Sequence, residues 1–204
     1  MKIKVCGLKR REDIESVNLA KPDFCGFIVE FEKSSRCVSR ELLQELTRDL
    51  DREIIPVGVF VDADPQLPAQ LAGEGVIRMI QLHGYEDEAY IRTLRELTGG
   101  SVPLIKAFSI RTAEDLQRAG ASSADHILLD QGSGGSGKTF DWSLAEGFDR
   151  PFFLAGGLGP ANLKEAIGRL SPWAVDLSSS LETDGVKDRD KILEAVKIVR
   201  DSGQ

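Results

Sequence analysis

Eight short apolar runs alternate strictly with longer amphipathic stretches along this chain, and that alternation constrains the fold more than any other feature. The runs cover residues 3–6, 24–29, 55–61, 77–82, 104–108, 126–130, 152–155 and 173–177. The stretches between and after them, at 11–20, 39–50, 65–73, 86–97, 112–119, 142–146, 160–170 and 188–199, carry helical periodicity. Strands that recur only after a helix-length crossover must lie parallel, because antiparallel neighbours need only a tight turn. Eight units in 204 residues allow roughly 25 residues each, short for a (β/α)8 barrel but within its lower range. A doubly wound open sheet is the competing architecture; the unit count and even spacing favour the barrel. Nothing resembling a linker interrupts the pattern, so a single domain over 1–204 is expected.

Local signals support the helices. Ser39 precedes a run whose Leu42, Leu43, Leu46 and Leu50 share one face, and its hydroxyl suits an N-cap. Thr112 is similarly placed before Ala-Glu-Asp-Leu, and Pro160 suits a first helical turn. The stretch at 142–146 is weak, with poorly specified ends.

In such a fold the chemistry gathers where the strands end, and these ends are distinctive. Cys6-Gly7 closes the first run and His83-Gly84 the fourth. Asp130 closes the sixth, Gly156-Gly157 follows the seventh, and Asp176-Leu-Ser-Ser179-Ser180 closes the eighth. A cysteine at a strand end is often only a small buried hydrophobe. At the rim, with Lys9 and Arg10 following closely, its thiolate can instead serve as a general base. Asp130 can cap a helix, but a carboxyl among apolar strand ends also favours the protonated form that a general acid needs. Asp176, beside three serines, reads as part of a ligand-binding turn. The glycine and serine turns after the seventh and eighth runs match the position where barrels commonly bind phosphate, and Ser180 can open a short extra helix there. Arg36 offers a planar fork suited to a carboxylate. His83 is equally compatible with packing or ligand contact, whereas His126, at the start of a strand, faces the opposite end.

Residues 132–139 read Gly-Ser-Gly-Gly-Ser-Gly-Lys-Thr, the letters of a nucleotide-binding P-loop. A P-loop should open a sustained helix, and Phe140-Asp141-Trp142 does not. The loop also comes late in the chain and leaves Cys6 unexplained. Backbone amides around Gly134 and Gly135 can still approach an oxyanion closely.

The net charge of −7 argues against nucleic acid as a partner, but a phosphorylated small molecule is compatible with local loop amides. No run reaches the length of a membrane span. Cys6, Cys25 and Cys37 lack metal-binding spacing and fit a reducing, cytoplasmic setting. With two histidines a three-histidine metal site is unavailable.

Taken in order, Lys-Val-Cys-Gly-Leu, Ser-Ser-Arg36, Gln-Leu-His-Gly, Leu-Leu-Asp with Gly-Gly-Ser-Gly-Lys-Thr-Phe-Asp-Trp, Ala-Gly-Gly-Leu-Gly-Pro-Ala-Asn and Asp-Leu-Ser-Ser-Ser-Leu-Glu span the whole chain. Together they resemble the phosphoribosylanthranilate isomerase family of tryptophan biosynthesis. The resemblance implies a small (β/α)8 barrel and a cofactor-independent Amadori rearrangement. It implies Asp130 as general acid, Cys6 as general base and Arg36 on the anthranilate carboxylate. Phosphate would be held around Gly156, Gly157, Ser179 and Ser180, with His83, Gly134, Gly135 and Asp176 lining the substrate. A monomer is the default, with a dimer left open. The family usually has glycine at the position of Ser180; if the backbone there needs positive φ, serine costs about 1 kcal/mol, and altered phosphate binding is expected. Two alternatives remain: a related isomerase of histidine biosynthesis, which would favour Asp over Cys6, and a non-catalytic sugar-phosphate-binding barrel, which would need neither Cys6 nor Asp130.

Overall fold

The computed structural model describes residues 1–130 and 142–202. Eight strands run in the order foreseen: β1 (Lys2–Cys6), β2 (Phe24–Val29), β3 (Ile55–Phe60), β4 (Met79–Leu82), β5 (Leu104–Ser109), β6 (His126–Asp130), β7 (Phe152–Leu154) and β8 (Ala174–Leu177). Each pairs in parallel with the next, and β8 and β2 both pair with β1, closing a barrel. The helices between them are α1 (Arg11–Ala20), α2 (Arg40–Arg48), α3 (Gln66–Gly73), α4 (Glu88–Leu97), α5 (Ala113–Ala121), α6 (Leu163–Leu170) and α7 (Arg189–Ser202). The open-sheet alternative is thereby excluded.

Strand periodicity divides the core in two. Outward residues such as Val5, Phe27, Leu82, Leu129 and Leu177 pack with helix residues such as Leu43, Leu46, Ile91 and Ile192. Inward residues Phe24, Val57, Met79, Ile105, Leu128, Phe153 and Ala174, one from each of β2 to β8, fill the barrel. Full burial of a large apolar side chain stabilises by roughly 1.5–3 kcal/mol, so both faces of β2 to β8 favour closure. At the N-terminal end, Trp173 stacks on His126 with centroids 4.7 Å apart, meets Phe153 edge-on, and carries the Lys2 ammonium 4.5 Å from its ring. That end is plugged.

Ser39 and Thr112 cap as their sequence context implies, accepting from the amides of Leu42 and Asp115. Three local expectations change. The sixth stretch is a single 3-10 turn, Trp142–Ala145, too short to repay helix nucleation. Pro160 lies in a turn ahead of α6, which starts at Leu163. Glu86 does not begin a helix: Asp87 caps α4, while buried Glu86 accepts from Lys106 Nζ at 2.8 Å and from the amides of Asp62 and Gly84. Lys106 also donates to the Gly84 carbonyl, so this buried pair fixes the turn directly after His83.

Candidate active site

The C-terminal ends of the strands surround a cavity of about 550 Å³, a size suited to a small-molecule ligand. Its wall includes every described residue that the family resemblance places in the site: Cys6, Arg36, His83, Asp130, Gly156, Gly157, Asp176, Ser179 and Ser180. Gly134 and Gly135, with the P-loop-like stretch, lie outside the described residues.

Backbone pairing explains how Arg36 reaches this rim. β1 ends opposite Gly26, and the two-residue strand Cys37–Val38 then pairs with Ile28 and Val29 of β2. The loop ahead of it therefore lies above the end of β1. Gly7 makes room: its φ is +82°, and a Cβ there would sit 2.5 Å from Arg36 Cδ. Arg36 is not simply solvated, because Nε and Nη2 donate to Glu182 Oε1 and Oε2 at 2.6 and 2.7 Å. Glu182 also receives Lys187 Nζ at 2.6 Å, and that ammonium reaches the Ser178 carbonyl at 2.9 Å. Burial pushes the Glu182 carboxyl up, but these two cations outweigh it and hold it down to about 2. The hairpin Glu182–Thr183 with Val186–Lys187 supplies both partners.

Below the rim lies an ion pair that the sequence reading missed. Lys4, fully buried, donates to Asp176 Oδ1 and Oδ2 at 3.0 and 2.9 Å. It lies two residues before Cys6 on the same strand, hence on the same inner face; strand parity was the available signal. Burial pushes the Cys6 thiol up, while Lys4 and Lys187 pull it down. Arg36 bears on the thiol as well. Lys9 and Arg10, which the sequence put close behind it, are engaged with the Ser35 carbonyl and Asp13 instead. Ser178 Oγ donates to the Cys6 carbonyl at 3.0 Å, tying the end of β1 to the serine turn after β8.

Across the cavity, His83 Nε2 lies 3.6 Å from Asp130 Oδ2. Gln81 Nε2 and His83 Nδ1 are 2.9 Å apart. This contact holds the imidazole ring with Nε2 facing Asp130. Gln81 is a second residue recoverable from strand parity.

After β7, Gly156 and Gly157 have φ of +86° and +66°, a turn that glycine adopts without steric cost. Asn162 fixes it, accepting from the Gly159 amide and donating to the Gly157 carbonyl. Ser180 lies in the 3-10 turn Ser179–Leu181 and outside the left-handed region. The backbone cost anticipated for serine here therefore does not arise. Its Oγ is buried without a hydrogen-bond partner among the described residues, and bare Gly159 accommodates its Cβ.

A closed parallel barrel with a thiol, two carboxylates and an arginine around one rim cavity defines a class: the (β/α)8-barrel enzymes. The family model for N-(5'phosphoribosyl)anthranilate (PRA) isomerase matches residues 3–198, and the chain belongs to that family. An N-(5'-phosphoribosyl)anthranilate isomerase of Endomicrobium trichonymphae is 45% identical over 203 residues, covering 98% of both proteins. The crystal structure of phosphoribosyl anthranilate isomerase from Thermotoga maritima superposes with a TM-score of 0.88 at 35% identity, covering 98% of this chain and 99% of that one. A phosphoribosyl anthranilate isomerase crystallised with reduced 1-(o-carboxyphenylamino)-1-deoxyribulose 5-phosphate superposes with a TM-score of 0.85 at 32% identity, with the same coverage.

Proposed function

We infer that this chain isomerises N-(5-phosphoribosyl)anthranilate to 1-(2-carboxyphenylamino)-1-deoxyribulose 5-phosphate in tryptophan biosynthesis. The observation that carries this reading is a thiol at the end of β1 and a carboxylate at the end of β6 lining one cavity, in a chain of this family. The carboxyl of Asp130 donates a proton to the ribose ring oxygen. The C1′–O bond breaks, and the anthranilate nitrogen lone pair forms C1′=N. Cys6, as thiolate, removes the C2′ proton; the C–H pair becomes C1′=C2′, and the imine pair returns to nitrogen. The enolamine then gains a proton at C1′ and loses one from the C2′ hydroxyl, giving the ketone. The imine accepts the electrons, so this aldose–ketose isomerisation needs no added cofactor.

Arg36 suits the anthranilate carboxylate. Glu182 occupies its Nε–Nη2 edge, so a second carboxylate would meet the Nη1–Nη2 edge. The turns around Gly156, Gly157, Ser179 and Ser180 suit the phosphate, whose charge the local amides favour. His83 and Asp176 border the sugar. The free thiols of Cys6, Cys25 and Cys37 are consistent with a reducing cytoplasmic setting. We take the monomer as the working unit, which sedimentation velocity tests.

Fluorescence of freshly prepared substrate in EDTA-containing buffer tests the function. The expected result is sustained loss of signal at an undiminished rate after exhaustive chelation. A folded protein without turnover overturns the assignment, and turnover abolished by EDTA overturns cofactor independence. The unpartnered Ser180 hydroxyl yields a second expectation. If it donates to phosphate, Ser180→Gly raises KM about 2- to 10-fold, the range of one hydrogen bond, with kcat nearly unchanged. An unchanged KM would make the serine neutral.

A further inference from the structure

The reaction as written gives no task to Lys4, the most deeply buried charge in the barrel. The seven other strands contribute apolar side chains to the barrel filling, and a lysine is among the costliest residues to bury there. Lys4 faces two groups. Asp176 takes it through both oxygens, at 3.0 and 2.9 Å, and the Cys6 sulfur, two residues on along the same inner face, borders the same bare position of Gly26 as the ammonium. Gly26 on the neighbouring strand makes this possible. A Cβ at that position would lie 2.6 Å from Cys6 Sγ and 3.0 Å from Lys4 Nζ.

We propose that Lys4 is a positioning residue for proton abstraction, its ammonium shared between Cys6 and Asp176 so that one proton can pass from the thiol to the carboxylate. The S–H bond breaks with its electron pair left on sulfur, an O–H bond forms on Asp176, and Lys4 keeps its three protons. Before and after the step, one buried anion faces one buried cation, so the thiolate appears without any change in net charge. The proposal rests on the reading of Cys6 as the base.

The electrostatics support this arrangement. Burial works against the Lys4 ammonium, but Asp176 and Cys6 outweigh it and hold that group above the ordinary lysine range. Burial raises both the Cys6 thiol and the Asp176 carboxyl, and Lys4 lowers both. Asp176 raises the thiol. The other titratable groups bearing on the pair come from five places in the fold. Lys187 from the rim hairpin and Arg36 from the loop after β2 face Cys6, with Cys25 behind on β2. His83 after β4 and Asp130 on β6 face Asp176.

The test is the ionisation of Cys6 in the full chain, followed by ultraviolet thiolate absorbance and by the pH dependence of iodoacetamide alkylation, with Cys6→Ser as blank. Lys4→Met should raise the apparent thiol pKa by about one unit or more, and Asp176→Asn should lower it by a similar amount. Lys4→Arg, which keeps the cation, should fall between wild type and Lys4→Met. Loosened packing alone would not move the thiol in opposite directions. In turnover, the acid limb of kcat should shift to higher pH in Lys4→Met, with activity recovering as pH rises.

An unmoved thiol in both variants, or shifts of the same sign, overturns the proposal. Should Lys4→Met not fold, the isosteric Asp176→Asn decides: a thiol pKa unmoved or raised overturns it. The titration needs no substrate, so the two readings separate. Unmoved thiols in the variants of an active enzyme overturn the shared-proton triad alone, whereas opposite shifts in the two variants of a wild type that shows no turnover overturn the isomerase assignment alone.

Discussion

Asp130→Asn is expected to lower kcat by about 10²- to 10⁴-fold, the contribution typical of a positioned general acid. The amide preserves the volume at the end of β6 and the approach of His83 at 3.6 Å, so KM should change little. The check is steady-state fluorescence across a range of pH. An amide has no proton to lose here, so the variant should lack whatever alkaline limb the acid gives the wild type. A variant that keeps that limb would assign the acid to another group, with His83 the nearest candidate.

Cys6→Ser is expected to have an effect of similar size through the opposite half of the reaction. A serine hydroxyl occupies nearly the same space but ionises far less readily than a thiol, so about 10²- to 10⁴-fold is again expected in kcat. Affinity for a product analogue should be preserved, which isothermal titration can establish. The pH dependence has a definite sign. A base must be deprotonated to act, and burial raises the Cys6 thiol despite Lys4 and Lys187. Wild-type kcat should therefore climb with pH on its acid side, along a limb displaced upward from that of an ordinary thiol. A fully active Cys6→Ser enzyme would remove the thiolate from the reaction.

Much of this was legible because a strand is a two-sided object. Once the apolar runs are known, parity separates Phe24 and Val57, which fill the barrel, from Phe27 and Phe60, which meet the helices. The last inward residues line the cavity, and Cys6, Asp130 and Asp176 were legible more simply, because each closes an apolar run at the end where a barrel gathers its chemistry. The partners of those residues were harder to see. Lys4 meets Asp176 across 172 positions of sequence, and Arg36 meets Glu182 across 146. No local pattern encodes such pairs, although a lysine of the same parity as Cys6 inside an apolar run was itself a clue. Glu86 misled for a related reason. It stands at the head of a helical pattern, but a buried lysine from β5 draws it into the loop. Ser180 misled through analogy, since a glycine elsewhere in the family does not establish that the backbone there needs one.

The plug of Trp173, His126 and Phe153 at the foot of the barrel has a consequence for traffic. With that end sealed, the cavity is a cul-de-sac. Whatever enters must leave through the same doorway, which Arg36 and the serine turn after β8 help to line. A ligand thus cannot pass through the molecule, and each turnover must clear the single entrance before the next can begin.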